Sequence, residues 1–501
     1  MPSLRRASIV PQRTRRLAGL LVGLASASCE SLFGSYAVDN QDNCVLNVGL
    51  CPAPAQTCNV NTKLCEEATQ LVAIDPKSGP SAGGTLVTIS GSRFLAGTTV
   101  SFDGEPATEV TVVSAQQLTA KTPPRPGRQG PVVVELFSPD GQHTQKDKLF
   151  RYYGDATFQQ SCFQGPTNPV VVVAADINKD GTSDIIVGGG NAIRPYLSSG
   201  DGLTFQALAD IKPGQTTLAL KAADLNGDGK IDLTTLSYGS TNAIATALGN
   251  GDGTFQALVK TPTTRTPYGL AVGDVTGDKR PDVLTLQNLD LVVQSGSGDG
   301  TFQAEQNTPY AVQSARGTSA QTLVDLDGDG FVDSATLNPI EQSFNVLFGR
   351  AGGWSTPLAT TLSREPNIIL ASDYDQDGLT DLAVGLNRTY AKIELFQGQG
   401  SRKLGAMPQL VLKTNFRLEA QGDFNGDGLA DLVALDAGGL NNNLMIYLGT
   451  GDWRFAALAP LSVGVSASAA AVGDWNGDGR QDLVTISSVG DTVCVLRSQV
   501  Q

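Results

Sequence analysis

Histidine is almost absent from this chain: His143 is the single one among 501 residues. It falls before the repeated region described below, so imidazole acid–base chemistry and imidazole metal ligation are excluded there. In a polar, hairpin-like stretch it reads as a solvated surface side chain. Positive charge is short as well, with 35 Lys and Arg against 49 Asp and Glu and a formal charge of −14. A phosphate backbone needs a basic face, so no nucleic-acid partner is expected. No Walker loop or dinucleotide fingerprint occurs. The N-terminal apolar run at 17–28 covers only twelve residues, too few to cross a bilayer as a helix.

What the chain does have is glycine and proline, 57 and 25 of them, which suits many short strands joined by turns. Its N-terminus places Arg5, Arg6, Arg13, Arg15 and Arg16 ahead of the apolar run, the layout of a signal peptide over 1–28. Without those five arginines the remaining chain carries −19. The segment Leu24-Ala25-Ser26-Ala27-Ser28-Cys29 resembles the lipobox of bacterial lipoproteins. That resemblance implies acylation of Cys29 and anchoring at the bacterial outer membrane or cell surface, with the lipid as the only membrane contact. The alternative is ordinary cleavage after Ala25-Ser26-Ala27, giving a secreted or periplasmic protein. Parity favours the lipid: seven cysteines leave one over, and acylating Cys29 leaves six for three disulfides in an oxidising compartment.

Residues 29–70 hold Cys44, Cys51, Cys58 and Cys65 in a stretch too small for a core. They read as a stapled stalk with two disulfides in one of three connectivities. A zinc site is the other option, but close Cys-x₂₋₄-Cys pairs are lacking. Residues 71–153 differ, with short alternating runs such as residues 85–90 and 131–137 between Gly/Pro turns. They spell a small antiparallel sandwich and resemble the IPT/TIG immunoglobulin-like domains.

From 154 to 501 the chain repeats itself. The pattern Asp-x-(Asn/Asp)-x-Asp-Gly-x-x-Asp starts at Asp176, Asp224, Asp274, Asp325, Asp373, Asp423 and Asp474, at intervals of 48 to 51 residues. A β-rich run precedes and follows each copy, and a Gly-rich turn ending in an aromatic closes several, as at 248–255, 295–302 and 448–455. Four strands per fifty residues is the size of a propeller blade. The repeats resemble the FG-GAP/VCBS family, which includes the integrin α-subunit propeller. The expected fold is therefore all-β: a seven-bladed propeller preceded by the sandwich and the stalk.

Carboxylates at positions 1, 3, 5 and 9 of a tight loop make a hard-oxygen cage suited to Ca²⁺. The side-chain ligands would be Asp176, Asn178, Asp180 and Asp184 in the first copy and Asp224, Asn226, Asp228 and Asp232 in the second, joined there by the Lys230 carbonyl. The third copy offers Asp274, Asp278 and Asp282, the fourth Asp325, Asp327, Asp329 and Asp333, and the fifth Asp373, Asp375, Asp377 and Asp381. Asp423, Asn425, Asp427 and Asp431 form the sixth set, and Asp474, Asn476, Asp478 and Asp482 the seventh. Six copies carry glycine at position 6; the third departs, with Lys279 there and Thr276 at position 3. Five to seven ions are expected. An EF-hand is excluded, because position 12 is Val, Thr or Ala rather than Glu and the flanks are strands.

The seventh repeat ends at Thr492-Val493-Cys494-Val495-Leu496 without its turn and last strand, while 153–158 copies the turn at the other end of the region. The N-terminal segment should supply the outer strand of the last blade, which predicts a Cys162–Cys494 disulfide. The tryptophans Trp354, Trp453 and Trp475 read as blade packing. The function this suggests is non-catalytic: calcium-dependent adhesion or binding of a protein or glycan at a cell surface. The alternatives are a calcium-dependent polysaccharide lyase and a purely architectural envelope component.

Overall fold

The computed structural model describes residues 56–58, 65–214, 216–238, 242–287, 290–311, 321–350, 353–386, 391–413, 416–436, 443–463 and 466–500. Cys29, Cys44 and Cys51 lie outside them. Of the other stalk cysteines only the backbone is described: Gln56–Cys58 pairs antiparallel with Cys65–Glu67, and the register sets Cys58 opposite Cys65.

The chain divides into two compact units. Among the described residues, one holds Gly83–Pro124 and Pro131–Phe150 with those up to Lys77; the other holds those from Arg151 onward with Ser78–Ala82 and Arg125–Gly130. In the first, one sheet runs Gln70–Asp75, Leu86–Ser92, Gln117–Lys121, Thr108–Ser114. The facing sheet contains His143–Tyr153, Gly130–Phe137, Thr99–Phe102 and Glu105–Pro106. Alternation along these strands puts Val87, Ile89, Leu118, Ala120, Val134 and Leu136 inside, all without exposed surface. Phe102 and Phe150 meet edge to face in that core, with centroids 5.3 Å apart. His143 is exposed and stacks on Phe137 at 4.4 Å, with Nε2 3.7 Å from Glu135 Oε1.

In the second unit each repeat becomes one antiparallel sheet of at least four strands. The first is Pro169–Ala175, Asp184–Gly189, Ala192–Ser198, Phe205–Ala207. The next five sheets follow in chain order, and the last is Ala469–Gly473, Asp482–Ser487, Thr492–Val500, Ala156–Gln164. The opening strand of each sheet lies against the opening strand of the next, and Ala469–Gly473 lies against Pro169–Ala175, so the ring closes.

Second strands such as Asp184–Gly189, Asp333–Asn338 and Asp482–Ser487 are buried at every residue. Both faces of each blade pack on neighbours, which is why these strands read as continuous apolar or small runs rather than alternating ones. Between the fifth and sixth blades Ile393, Leu395, Leu418, Leu432, Phe416 and Tyr374 form one buried layer. Trp475 is fully buried between the seventh and first blades, Trp453 is 9% exposed, and Trp354 packs half-buried on the Leu284–Leu347 cluster.

The last blade is closed from the other end of the unit. Ala156–Gln164 pairs with Thr492–Val500 over nine residues, Cys162 opposite Cys494, and the two sulfurs are bonded.

Candidate metal centres

Each nine-residue loop joins the first strand of its blade to the second. Position 1 follows the end of one strand, and position 9 opens the other at Asp184, Asp232, Asp282, Asp333, Asp381, Asp431 and Asp482. The loops fold by hydrogen bonds from their own backbone to their own carboxylates. In the second loop Asp224 Oδ1 accepts Gly227 N–H at 2.8 Å and Oδ2 accepts Gly229 N–H at 2.8 Å. The position-6 amide donates to the position-1 carboxylate in all seven loops, at 2.7–3.0 Å. Position 7 donates to position 5 in all seven as well, as Lys230 does to Asp228 and Leu379 to Asp377, both at 2.9 Å. The glycine preference at position 6 follows from a left-handed backbone, φ +74° at Gly229 and +82° at Gly479. Lys279 adopts φ +66° in the third loop, which therefore closes like the others despite its sequence.

Position 9 has a second task that its sequence pattern does not reveal. These carboxylates are buried with no exposed surface. One oxygen accepts the position-2 amide, Ile177 to Asp184 at 3.0 Å and Leu326 to Asp333 at 2.7 Å. The other accepts an amide at the end of the third strand: Ser198, Gly249, Gly296, Gly349, Gly398, Gly449 or Ser498, at 2.7–2.9 Å. Position 9 thus pins the loop to the far strand of its own blade.

Burial pushes these carboxyls up, and the neighbouring carboxylates add to it. Asp184, Asp333 and Asp482 rise to about 6, Asp381 to about 7, and Asp431 well above the usual carboxylate range. A cation beside them would oppose that rise.

The donor set fits a hard divalent cation. The set is carboxylate and amide oxygen, and each ionised carboxylate offers about four lone-pair sites. In the fourth loop oxygens of Asp325, Asp327 and Asp333 lie within 4.8 Å of one another, and in the fifth so do those of Asp373, Asp375 and Asp377.

Turns from the following blade lean on several loops. Gly253 N–H donates to Ile177 C=O at 3.0 Å, Ser198 Oγ to Trp475 C=O at 2.8 Å, and Asn425 Nδ2 to Gly154 C=O at 3.4 Å. Two turns send side chains instead. Arg402 Nε lies 3.3 Å from Asp327 Oδ2 and a terminal nitrogen 3.7 Å from Asp329 Oδ2. Trp453 Nε1 donates to Asp375 Oδ2 at 3.1 Å, and Gln397 Nε2 to the same oxygen at 2.8 Å. The sequence reading assigned Trp453 to packing, a role it does fill beside Tyr374, without its contact to Asp375, and passed over Arg402. The signal was present in the turns, where these residues replace the glycine of Gly253 and Gly300.

Away from the loops, a cavity of about 660 Å³ lies between the outer strands of the first two blades, with Leu208, Asp210, Lys212, Phe255 and Lys260 in its wall.

Comparison with known proteins agrees with this architecture. The IPT/TIG domain model matches residues 70–152, and the FG-GAP-like repeat model matches 176–235, 224–285 and 423–485. Human Plexin-A2 is 29% identical over 153 residues, which is 28% of this chain and 8% of that protein. Among solved structures, BBS1N in complex with ARL6DN is 10% identical, covering 69% of this chain and 96% of that one, with a TM-score of 0.47. An Agrocybe aegerita lectin, described as recognising non-reducing terminal N-acetylglucosamine, is 14% identical over 79% of this chain and 98% of its own, at 0.45. The chain therefore carries an IPT/TIG domain over 70–152 and, in the sheets that follow it, FG-GAP-like repeats.

Proposed function

We propose that the protein is a calcium-loaded surface module that binds a protein or glycan without turning it over. In this reading it is exported and held at the bacterial cell surface by a lipid on Cys29. The observation that carries the proposal is the sevenfold loop, in which the carboxylates at positions 1, 5 and 9 are held by the same amides each time. The amides account for the fold of each turn, and a divalent ion in each would in addition offset the negative charge gathered at positions 1, 3, 5 and 9. Calcium would be held by positions 1, 3, 5 and 9 and would supply only charge and cross-linking. The protein's own part is to hold seven loops at fixed places on a ring of packed blades. FG-GAP-like repeats and the likeness to Plexin-A2 favour a ligand-binding or adhesion-type propeller, and both repeat and TIG families are mostly non-catalytic.

Calorimetric titration of Ca²⁺ into the full chain tests the metal. Five to seven ions are expected, with dissociation constants on the order of 10⁻⁴ M. No binding heat together with a melting temperature indifferent to chelator would overturn it. A glycan array and an envelope pull-down, each with and without chelator, test the partner: capture that calcium supports is expected, and its absence in both would remove the binding role.

A further inference from the structure

Five of the hairpin turns that join third to fourth strands reach an apex in the left-handed region at equivalent places: Gly202, Gly253, Gly300, Arg402 and Trp453, with φ +70°, +85°, +80°, +63° and +64°. Glycine is the residue that adopts this backbone without strain. Arg402 and Trp453 keep the conformation while carrying long side chains. Both side chains do the same thing: each crosses to the loop of the preceding blade and meets the carboxylate at position 3, Asp327 in one case and Asp375 in the other. Arg402 is held there by more than its ion pairs. Its guanidinium sits 5.9 Å from the centre of the Phe348 ring, and its neighbour Ser401 is also left-handed, at φ +49°. The two loops contacted are the fourth and fifth, where three carboxylates converge.

The two apex groups differ in one property that matters to a cation. Trp453 is a neutral donor: it takes one lone pair of Asp375 Oδ2 and leaves the charge of the loop unchanged. Arg402 brings a fixed positive charge to Asp327 and Asp329, and no pH near neutrality removes it.

We infer that Arg402 is the resident cation of the fourth loop and competes with calcium for it, so that the guanidinium weakens calcium binding there and filling of the loop displaces it. The turn of the fifth blade is then a calcium-sensitive contact on the fourth, whereas the Trp453 contact one blade further on persists with the ion bound. This inference rests on the calcium reading above.

The test is calorimetric titration of the full chain as wild type, Arg402→Gly, Arg402→Gln and Arg402→Gly/Asp327→Asn. Arg402→Gly restores the residue that Gly253 and Gly300 have at the same apex, so folding is retained. The expected result is that one weak site tightens about tenfold in both single variants, and that adding Asp327→Asn abolishes the gain. In chelator Arg402→Gln should melt below wild type, because the fourth loop has lost the guanidinium paired with Asp327 and Asp329, and calcium should raise its melting point by more than it raises that of wild type. If wild type binds calcium and the single variants give the same isotherm, Arg402 does not compete, and the inference falls while the calcium reading stands. If no variant, wild type included, binds calcium, both fall together.

Discussion

Cys162 and Cys494 stand opposite each other on adjacent antiparallel strands, 4.1 Å apart at Cα, and join covalently across 332 residues of sequence. The bond ties the first strand of the propeller unit to its last, so that the outer strand cannot leave the last blade without breaking it. Chain-entropy arguments give a loop of this length about 6 kcal/mol of stabilisation. Replacing both cysteines with serine should therefore lower the melting temperature markedly and allow proteolysis within 156–164. A double variant that melts with the wild type under oxidising conditions would refute this.

Position 9 and position 5 of a loop should respond differently to the same amide substitution. Asp482→Asn leaves one of two buried backbone donors, Trp475 N–H or Ser498 N–H, facing an amide NH₂. That costs about 1–3 kcal/mol whether or not calcium is present. Asp228 is at the exposed end of its loop, so Asp228→Asn should matter only in calcium. Melting both variants in calcium and in chelator separates them; equal losses in chelator would contradict the pinning role.

The pH dependence without metal has a definite sign. The position-9 carboxyls rise in the folded state, to about 6 at Asp184 and about 7 at Asp381, against an unfolded value of 3.8. The folded state therefore binds more protons between about pH 4 and 7, and stability falls as pH rises through that window. Asp201, held down to about 2 by the Leu203 amide and the Thr204 hydroxyl, acts oppositely and only below about pH 4. In chelator the melting temperature should rise on going from pH 7 to pH 5; calcium, which favours the ionised form, should flatten or reverse that trend. A chelated protein that melts higher at pH 7 than at pH 5 would contradict it.

Mass spectrometry of the exported protein should find Cys29 as the first residue, carrying an acyl-modified thiol. Cys29→Ser should leave the chain unanchored. An unmodified N-terminus at Ser28 would point to ordinary cleavage instead.

The loops were legible in the sequence because their chemistry is local. Asp176 and Gly181, or Asp228 and Lys230, meet within nine consecutive residues, so the spacing of carboxylates carries the geometry with it. Blade size and the borrowed outer strand could be read for a related reason: a missing turn after Leu496 and a spare one at 153–158 are both visible as departures from a fifty-residue period. What the tertiary structure alone decided lies between elements. That Asp482 pins Ser498 as well as serving its loop depends on the third strand returning past the second, sixteen residues on. That Arg402 reaches Asp327 and Trp453 reaches Asp375 depends on how adjacent blades pack, across separations of 75 and 78 residues. A periodic sequence repeats the local contacts seven times, but side chains that cross from one blade to the next are chosen by the packing of the ring, and an arginine or a tryptophan in a glycine's place gives the fourth and fifth loops a side-chain contact from the next turn.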